Sequence, residues 1–257
     1  GFQSLAQSDL TLKEAVMGQW RQFYPAHTTM VQWIPGTKTY SYLSQDYQTL
    51  KAGGVKKSSS TDLVTTKQLT DWTGGESFRY VNVMSWKNEN EFYTASEGKY
   101  FLINIKEEKA TALASLPEGA ENDELCEANN YLAYTVDNNL YIKTDQNKEV
   151  QITDLPASIV SGQAIARREF GIVDGIFWSN TGKYLAFYQK DESEVADYPL
   201  LDITTPTGSL NSIKYPMAGQ PSEKSGLGIY NVEKNKTVYI KPKGNADDYI
   251  TNVGWGP

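Results

Sequence analysis

The clearest structural signal in this 257-residue chain is Trp178-Ser179-Asn180-Thr181-Gly182, which leads into Leu185-Ala186-Phe187. An aromatic residue precedes an Asn and a Gly, and an apolar run follows shortly after, which is typical of a turn between two β-strands. A similar order recurs three times nearer the N-terminus, with Gly or Asn in the turn and Cys126 in place of one tryptophan: Trp33-Ile34-Pro35-Gly36 before Tyr40-Ser41-Tyr42, Ser85-Trp86-Lys87-Asn88 before Phe92-Tyr93-Thr94, and Cys126-Glu127-Ala128-Asn129-Asn130 before Leu132-Ala133-Tyr134. The chain therefore contains an internal repeat of β-structure.

This repeat predicts a β-propeller. The second strand of each unit opens at positions 40, 92, 132 and 185, and a period of roughly 40 to 50 residues with several strands per unit is typical of propeller blades. A β-sandwich, with turns roughly every 8–12 residues, lacks this longer period. Residues 254–257 resemble the opening of a fifth unit, so we expect about four to five blades of a larger propeller. Four tryptophans occupy one place in each unit and are expected to pack between blades: Trp33, Trp86, Trp178 and Trp255.

The N-terminal part of the chain has a different pattern. Residues 1–28 are expected to form a helical lead-in, because Thr11 and Glu14 match a capping box and apolar residues follow at helical spacing. From residue 29 to residue 257 the period changes to two. Three of the predicted strands are Thr39–Leu43, Phe78–Met84 and Glu91–Thr94. The prediction is an all-β fold, a partial β-propeller over 29–257 with a short N-terminal helix.

Composition excludes several classes of site. The chain has 31 Asp and Glu against 24 Lys and Arg, a formal net charge of −7, which argues against binding to nucleic acid or to an anionic membrane. No apolar run approaches the ~18 residues of a membrane span. The one histidine, His27, and the one cysteine, Cys126, cannot form a zinc cluster or an intrachain disulfide. We expect no metal and no cofactor.

A block in the second half of the chain resembles a known family. It contains Arg168-Glu169-Phe170-Gly171-Ile172, then Phe177 to Phe187, then Asp191-Glu192-Ser193-Glu194-Val195 and Tyr215-Pro216-Met217-Ala218-Gly219. In order and spacing these motifs resemble the N-terminal β-propeller of the dipeptidyl peptidase IV group of the prolyl oligopeptidase family. The nearest likeness is to prolyl tripeptidyl peptidases of the Bacteroides type. The resemblance implies an eight-bladed propeller that precedes a C-terminal α/β-hydrolase domain.

That hydrolase domain, which carries the Ser-Asp-His triad in the family, is absent from this chain. There is no G-x-S-x-G nucleophile elbow, and His27 is the sole imidazole. A serine nucleophile needs an imidazole that is oriented by a third group. We therefore expect no catalytic residue and no peptidase activity in this chain alone.

The resemblance also implies a substrate-recognition segment in the fourth blade, where family members offer two adjacent glutamates to the α-ammonium group of a peptide. Aligned on Phe170 and Trp178, that acidic pair falls on Arg167 and Arg168, and Glu169 stands one step beyond. The expected substrate-binding residues are thus Glu169, Arg167 and Arg168. Glu169 would bind the ammonium group, and the two arginines would determine how far the peptide extends into the site or bind one of its carbonyl groups. Because two arginines repel an ammonium group, this departure favours tripeptide release. The alternative is a solvated turn with local ion pairs.

The resulting hypothesis is a non-catalytic propeller domain of a serine exopeptidase that removes di- or tripeptides after proline. Its expected partners are a peptide with a free N-terminus, the hydrolase domain of the parent chain and a second copy in a homodimer. The resemblance implies a periplasmic, secreted or cell-surface location, although the sequence shows no signal peptide. Two alternatives stay open: a stand-alone propeller that binds peptides or proteins, and a propeller glycosidase, for which no carboxylate pair stands out.

Overall fold

The computed structural model describes residues 9–21, 23–24, 27–55, 57–144, 148–240, 244 and 250–256, without the side chains of 57–59 and 167. The chain divides into two compact units, residues 1–96 with 102–111 and residues 97–101 with 112–257. Antiparallel β-strands dominate the described ranges, as a sequence period of two predicts. No helix in those ranges is long and apolar enough to cross a membrane.

Four antiparallel sheets share one plan of four successive strand positions. Sheet 1 contains β1 (Gln32–Trp33), β2 (Thr39–Leu43), β3 (Thr49–Gly54) and β4 (Lys57–Thr65). Sheet 2 contains β5 (Ser85–Trp86), β6 (Glu91–Ser96), β7 (Lys99–Asn104) and β8 (Lys109–Ser115). Sheet 3 contains β9 (Glu121–Cys126), β10 (Tyr131–Val136), β11 (Asn139–Lys143) and β12 (Glu149–Gln151). Sheet 4 contains β13 (Ile159–Ser161), β14 (Ile176–Trp178), β15 (Tyr184–Asp191), β18 (Lys224–Asn231) and β19 (Lys236–Ile240). Between β15 and β18, a separate two-stranded ribbon is formed by β16 (Asp197–Asp202) and β17 (Ser209–Lys214).

The predicted repeat corresponds to these sheets. Its four marker residues lie in the strand next to the edge at which each sheet begins, namely Tyr40 in β2, Phe92 in β6, Leu132 in β10 and Leu185 in β15. Phe92, Leu132 and Leu185 are completely buried, so the marker position belongs to the core of its sheet. The all-β prediction is confirmed, and each repeat is one antiparallel sheet, four-stranded in sheets 1 to 3 and five-stranded in sheet 4 because both β13 and β14 pair with β15.

Tryptophan side chains join neighbouring sheets by a recurring hydrogen bond. In each case the indole N–H donates to a residue of the sheet that precedes the tryptophan in the chain. The three pairs are Trp86 in β5 with Ser41 Oγ in β2 at 2.9 Å, Trp178 in β14 with the Glu124 carbonyl in β9 at 3.1 Å, and Trp255 with the Phe177 carbonyl in β14 at 3.0 Å. These contacts support the predicted packing role for three of the four tryptophans.

Trp33 does not follow this rule. Its side chain is 63% exposed and packs edge-on against Tyr40 of its own sheet, with 6.1 Å between ring centroids. The expectation that it packs between blades is therefore wrong for this residue. The physical reason is that no described sheet precedes sheet 1 to supply an acceptor for its indole.

The described ranges contain two short α-helices, one before sheet 1 and one after it. Helix α1 (Leu12–Met17) begins at the predicted capping box, in which Thr11 Oγ1 accepts from the Glu14 N–H at 3.2 Å and the Glu14 carboxylate accepts from the Thr11 N–H at 2.9 Å. Helix α2 (Thr66–Trp72) was not predicted. It begins at a second capping box, formed by Thr65 and Gln68, and buries Leu69 completely. The Ser/Thr-x-x-Glu/Gln pattern was the signal in the sequence that could have located it.

The predicted strand Phe78–Met84 is wrong, because this stretch joins no ladder before β5. Its alternation reflects burial rather than pairing: Val81 and Val83 are buried, but their backbone groups bond outside a sheet. The Val81 N–H donates to the Tyr47 carbonyl at 3.2 Å, and the Val83 carbonyl accepts from the Gln32 side chain at 2.7 Å. Turn and side-chain partners thus satisfy the backbone in place of a neighbouring strand.

The ribbon of β16 and β17 stands apart from the four sheets. Tyr198 pairs with Ile213, and Leu201 pairs with Leu210. Since cross-strand partners share a face and neighbours along a strand alternate, the two pairs lie on opposite faces. All four side chains are exposed. The ribbon therefore presents apolar residues on both of its faces.

Candidate functional site

The site begins with an interruption in the edge of sheet 4. Strands β13 and β14 both pair with β15, β13 through Ile159–Ser161 and β14 through Ile176–Trp178. Residues 162–175, called the sheet-4 loop, leave the sheet between these two strands and return to it. The loop therefore projects from a continuous sheet edge and has a closed base, like an Ω-loop.

Tyr188 holds the base of the sheet-4 loop. Its N–H donates to the Gly175 carbonyl at 2.9 Å, and its carbonyl accepts from the Gly162 N–H at 2.8 Å. Gly175 also lies directly against Gln163, because a β-carbon there would be 2.3 Å from the Gln163 carbonyl carbon. Only glycine permits this approach of two backbone segments.

Both ends of the central part of the loop are anchored in a core cluster. Ile165 is completely buried, and Ala166 and Ile172 are nearly so. They pack in a cluster that includes Tyr188 and Leu227. Fully burying an aliphatic side chain contributes on the order of 1.5–3 kcal/mol. The loop is thus fixed at its ends, while Arg168, Glu169 and Phe170 between them are exposed.

The backbone between the anchors is strained. Residues 166–171 form a short 3₁₀ segment, called here the left-handed turn. Ala166, Arg168 and Phe170 have φ of 51°, 62° and 56°, and Gly171 has φ of 74°. A non-glycine residue in this region costs roughly 1–2 kcal/mol, and such residues cluster at functional sites. Three of them in one short turn mark this segment as a candidate binding site.

The left-handed turn forms one side of a cavity of about 400 Å³. The charged residues that line the cavity are Arg168, Glu169, Lys190, Glu192, Lys214 and Glu223. Lys190 extends from β15 and Lys214 from β17, so the cavity lies where the loop, sheet 4 and the base of the ribbon meet. Its three cationic and three anionic groups suit a polar ligand that carries charge.

Most of these charges already have partners. Lys190 Nζ lies 2.9 Å from Glu192 Oε1, with both side chains about 15% exposed, and Lys214 Nζ lies 3.0 Å from Asp197 Oδ1. Lys214 also donates to the Val195 carbonyl at 3.1 Å. Arg168 and Glu169 have no ion-pair partner among the described side chains. These two exposed charges are therefore available to a ligand.

The structure brings two of the three predicted substrate-binding residues to this cavity. Arg168 and Glu169 both line it, whereas the side chain of Arg167 lies outside the described residues. Sequence reasoning missed Tyr188, Gly175 and Glu223. Nothing around Gly175 distinguishes it from other glycines in the sequence. Tyr188 and Glu223 carry no local signal, because their partners lie far away in the sequence.

A second group of carboxylates lies at the first strand of sheet 3. Desolvation by the surrounding protein, together with the negative charges of Asp174, Asp123 and Glu127, raises the pKa of Glu124 to about 7. Its side chain nevertheless keeps an exposed surface. Glu124 and Asp174 line one cavity with Trp178 and Trp255. Within the described ranges, no three His, Cys, Asp or Glu side chains are placed to share a metal ion.

The geometry of the left-handed turn suits recognition rather than bond cleavage. A carboxylate such as Glu169 accepts charge-assisted hydrogen bonds from an ammonium group, and a guanidinium such as Arg168 donates them to a carbonyl or carboxylate. Cleavage by a serine nucleophile would need an imidazole, and His27 is the one histidine in the sequence. It does not line the cavity.

Comparison with known proteins identifies relatives of the chain. Residues 79–257 match the family model described as the dipeptidyl peptidase IV (DPP IV) N-terminal region. Dipeptidyl-aminopeptidase B of Aspergillus niger is 26% identical over 199 residues, which cover 66% of this chain and 21% of that protein. The chain thus spans about a fifth of the length of this curated relative.

Two solved structures have the same fold. A protein from Bacteroides ovatus, provisionally designated a dipeptidyl aminopeptidase IV, is 32% identical, with a TM-score of 0.71 over 88% of this chain and 32% of its own. Dipeptidyl peptidase 4 of Porphyromonas gingivalis is 20% identical, with a TM-score of 0.70 over 96% of this chain and 37% of its own. The second likeness concerns the fold alone.

Proposed function

Because the chain belongs to the family of dipeptidyl peptidase IV N-terminal regions, we propose that it is the non-catalytic propeller portion of a serine exopeptidase. In this proposal its four sheets are blades of a larger, eight-bladed ring. The ring restricts access to a hydrolase domain elsewhere in the parent protein. The parent protein removes N-terminal di- or tripeptides that end in proline.

One observation carries the proposal, namely the exposed carboxylate of Glu169 on a strained loop with an anchored base. The loop is fixed by Tyr188, and Glu169 lines a polar cavity without an ion-pair partner among the described side chains. A carboxylate held in this way accepts the hydrogen bonds of a peptide α-ammonium group. Glu169 then selects peptides with a free N-terminus.

Arg168 modifies this selection. Arg168 is adjacent in sequence to Glu169 and lines the same cavity. Its positive guanidinium repels the positive α-ammonium group of a peptide at short range. We place the ammonium group on the Glu169 side and a backbone carbonyl of the peptide on Arg168. Arg167 shares this carbonyl-binding role. The arrangement favours a tripeptide over a dipeptide in front of the cleaved bond.

Peptide binding to this chain tests the proposal. A proline-containing pentapeptide with a free N-terminus is expected to bind more tightly than its N-acetylated form in isothermal titration calorimetry. Glu169→Gln should remove most of that difference. The matched control is Glu194→Gln, because Glu194 is an exposed carboxylate paired with Lys224 at 2.7 Å and does not line the cavity. Equal affinity for the free and acetylated peptides would contradict the role of Glu169.

The coding sequence downstream of Pro257 separates the proposal from its alternative. Continuation through further propeller repeats into a G-x-S-x-G motif and a late histidine is expected for an exopeptidase. A stop codon close to Pro257 would instead support a stand-alone propeller that binds peptides or proteins. A peptidase assay on this chain alone is expected to show no turnover of a proline-containing chromogenic peptide.

We extend the proposal to a homodimer and to a location outside the cytoplasm. The ribbon exposes Tyr198, Leu201, Leu210 and Ile213 on its two faces, and exposed apolar residues of this kind mark interaction surfaces. A second copy of the chain is the proposed partner of the ribbon. The extracytoplasmic location follows the family likeness, and fractionation of the source cells with an antibody against this chain would test it.

A further inference from the structure

Glu223 contacts the left-handed turn from a distant part of the sequence. Its carboxylate Oε1 accepts a hydrogen bond from the Ala166 N–H at 2.9 Å, across 57 residues of chain. Glu223 directly precedes β18. This contact therefore ties the first residue of the turn to the central part of sheet 4.

The contact satisfies a backbone group that has few other options. Ala166 is only 6% exposed, and its φ of 51° lies in the left-handed region. A buried N–H without a partner destabilises the fold, whereas a hydrogen bond to a charged acceptor is stronger than one to a neutral acceptor. The carboxylate of Glu223 thus favours the strained conformation of Ala166 over relaxed ones.

Glu223 complements the other anchors of the loop rather than repeating them. Tyr188 closes the base through backbone bonds to Gly162 and Gly175, outside the turn itself. Ile165 and Ile172 hold the turn by apolar packing, which is not directional. The bond from Glu223 is directional and acts three residues before Glu169. It fixes the orientation in which the turn faces the cavity that Glu223 also lines.

We propose that Glu223 is a positioning residue for substrate recognition, because its carboxylate holds the left-handed turn in the conformation that presents Arg168 and Glu169 to the cavity. Its effect on peptides rests on the proposed function, whereas its effect on the turn does not. Glu223 acts through Ala166 and is not itself required to touch the peptide.

Two measurements on the 257-residue chain test the proposal separately. The first is hydrogen exchange of the Ala166 amide by NMR. Glu223→Ala should speed exchange roughly tenfold or more, as expected for loss of a hydrogen bond to a charged acceptor. Glu223→Gln retains an acceptor oxygen and should restore most of the protection. Glu194→Gln, which removes the carboxylate paired with the adjacent Lys224, should leave Ala166 exchange unchanged.

The second measurement is the affinity for the free pentapeptide used above. Glu223→Ala should weaken binding severalfold, and Glu223→Gln should recover most of it. Urea unfolding of each variant checks that the chain is folded under the conditions of the binding measurement. Exchange of Ala166 within twofold of wild type in Glu223→Ala would overturn the positioning role. Faster exchange with unchanged affinity would overturn its link to recognition. If the wild-type chain binds no peptide, the proposed function fails, and the exchange data still decide whether Glu223 holds the turn.

Discussion

Gly175 and Gln163 lie so close that a β-carbon on the glycine would be 2.3 Å from the Gln163 carbonyl carbon. The two residues form the base of the sheet-4 loop, and no side-chain movement relieves a clash with backbone atoms. The conformation that exposes Glu169 thus depends on Gly175, which lies six positions away and does not line the cavity.

Gly175→Ala is expected to lower the free energy of unfolding by about 1–3 kcal/mol, the usual range for an overpacked site. Urea denaturation measures the loss. Gly226→Ala is the matched control, because it also lies in sheet 4 and its β-carbon would have only an ordinary contact, 3.7 Å from the Gln189 carbonyl oxygen. Equal stability of the two variants would contradict the tight packing at Gly175.

Trp86→Phe is expected to destabilise the chain by about 1–3 kcal/mol, since it removes both a buried hydrogen bond to Ser41 and part of a buried ring. Trp33→Phe should change stability by less than about 0.5 kcal/mol, as is usual for an exposed position. Thermal and urea unfolding of both variants provide the comparison. A larger effect at Trp33 than at Trp86 would refute the joining role of the Trp86 indole.

Glu124→Gln is expected to stabilise the chain in a pH-dependent manner. The pKa of Glu124 is raised from 4.5 to about 7 in the folded chain, so the folded state binds more protons than the unfolded state between these values. Its contribution to stability is complete below pH 4.5 and is lost as the pH rises through 7. The melting temperature of Glu124→Gln should therefore match wild type near pH 4 and exceed it increasingly toward pH 8.

The control for this pH series is Glu118→Gln, which removes a carboxylate at an exposed turn position. Its difference from wild type should stay small across the same range. If Glu124→Gln shows a constant difference from wild type at every pH, the cause is packing rather than ionisation.

Leu201→Glu is expected to convert a dimer into a monomer. The substitution places a charge on one apolar face of the ribbon, where burial against a second copy would leave it unpaired. Size-exclusion chromatography with light scattering measures the mass of each variant. Leu12→Glu, at a leucine in α1 that is more exposed than Leu201, should leave the mass unchanged. A monomeric wild-type chain at micromolar concentration would rule out the ribbon as a dimer contact.

The sheets could be predicted because their signals are local. The turn at Asn180 and Gly182 and the alternating run after it lie within one hairpin, and three earlier stretches repeat them. Phe78–Met84 misled the same reasoning, because its buried valines follow a strand pattern without a neighbouring strand. Periodicity reports which side of the chain is buried, not which backbone partner it finds.

The candidate site was only partly predictable for a similar reason. Arg168 and Glu169 were identified through their family-like neighbours Phe170 and Trp178. Glu223 bonds to Ala166 across 57 residues, and no pattern in a single sequence reports such a pairing. The left-handed backbone at Ala166 was equally hidden, since alanine is not a residue that favours positive φ.

The shared strand β15 has one more consequence. Because β13 and β14 both rest on β15 in registers fixed by their own residues, the segment between Gly162 and Gly175 can be exchanged without shifting the sheet. A transplanted loop of different length needs ends that meet at Tyr188 and apolar residues that replace Ile165 and Ile172 in the core cluster. The edge of sheet 4 can therefore accept a different loop between β13 and β14 while the pairing of the other strands stays the same.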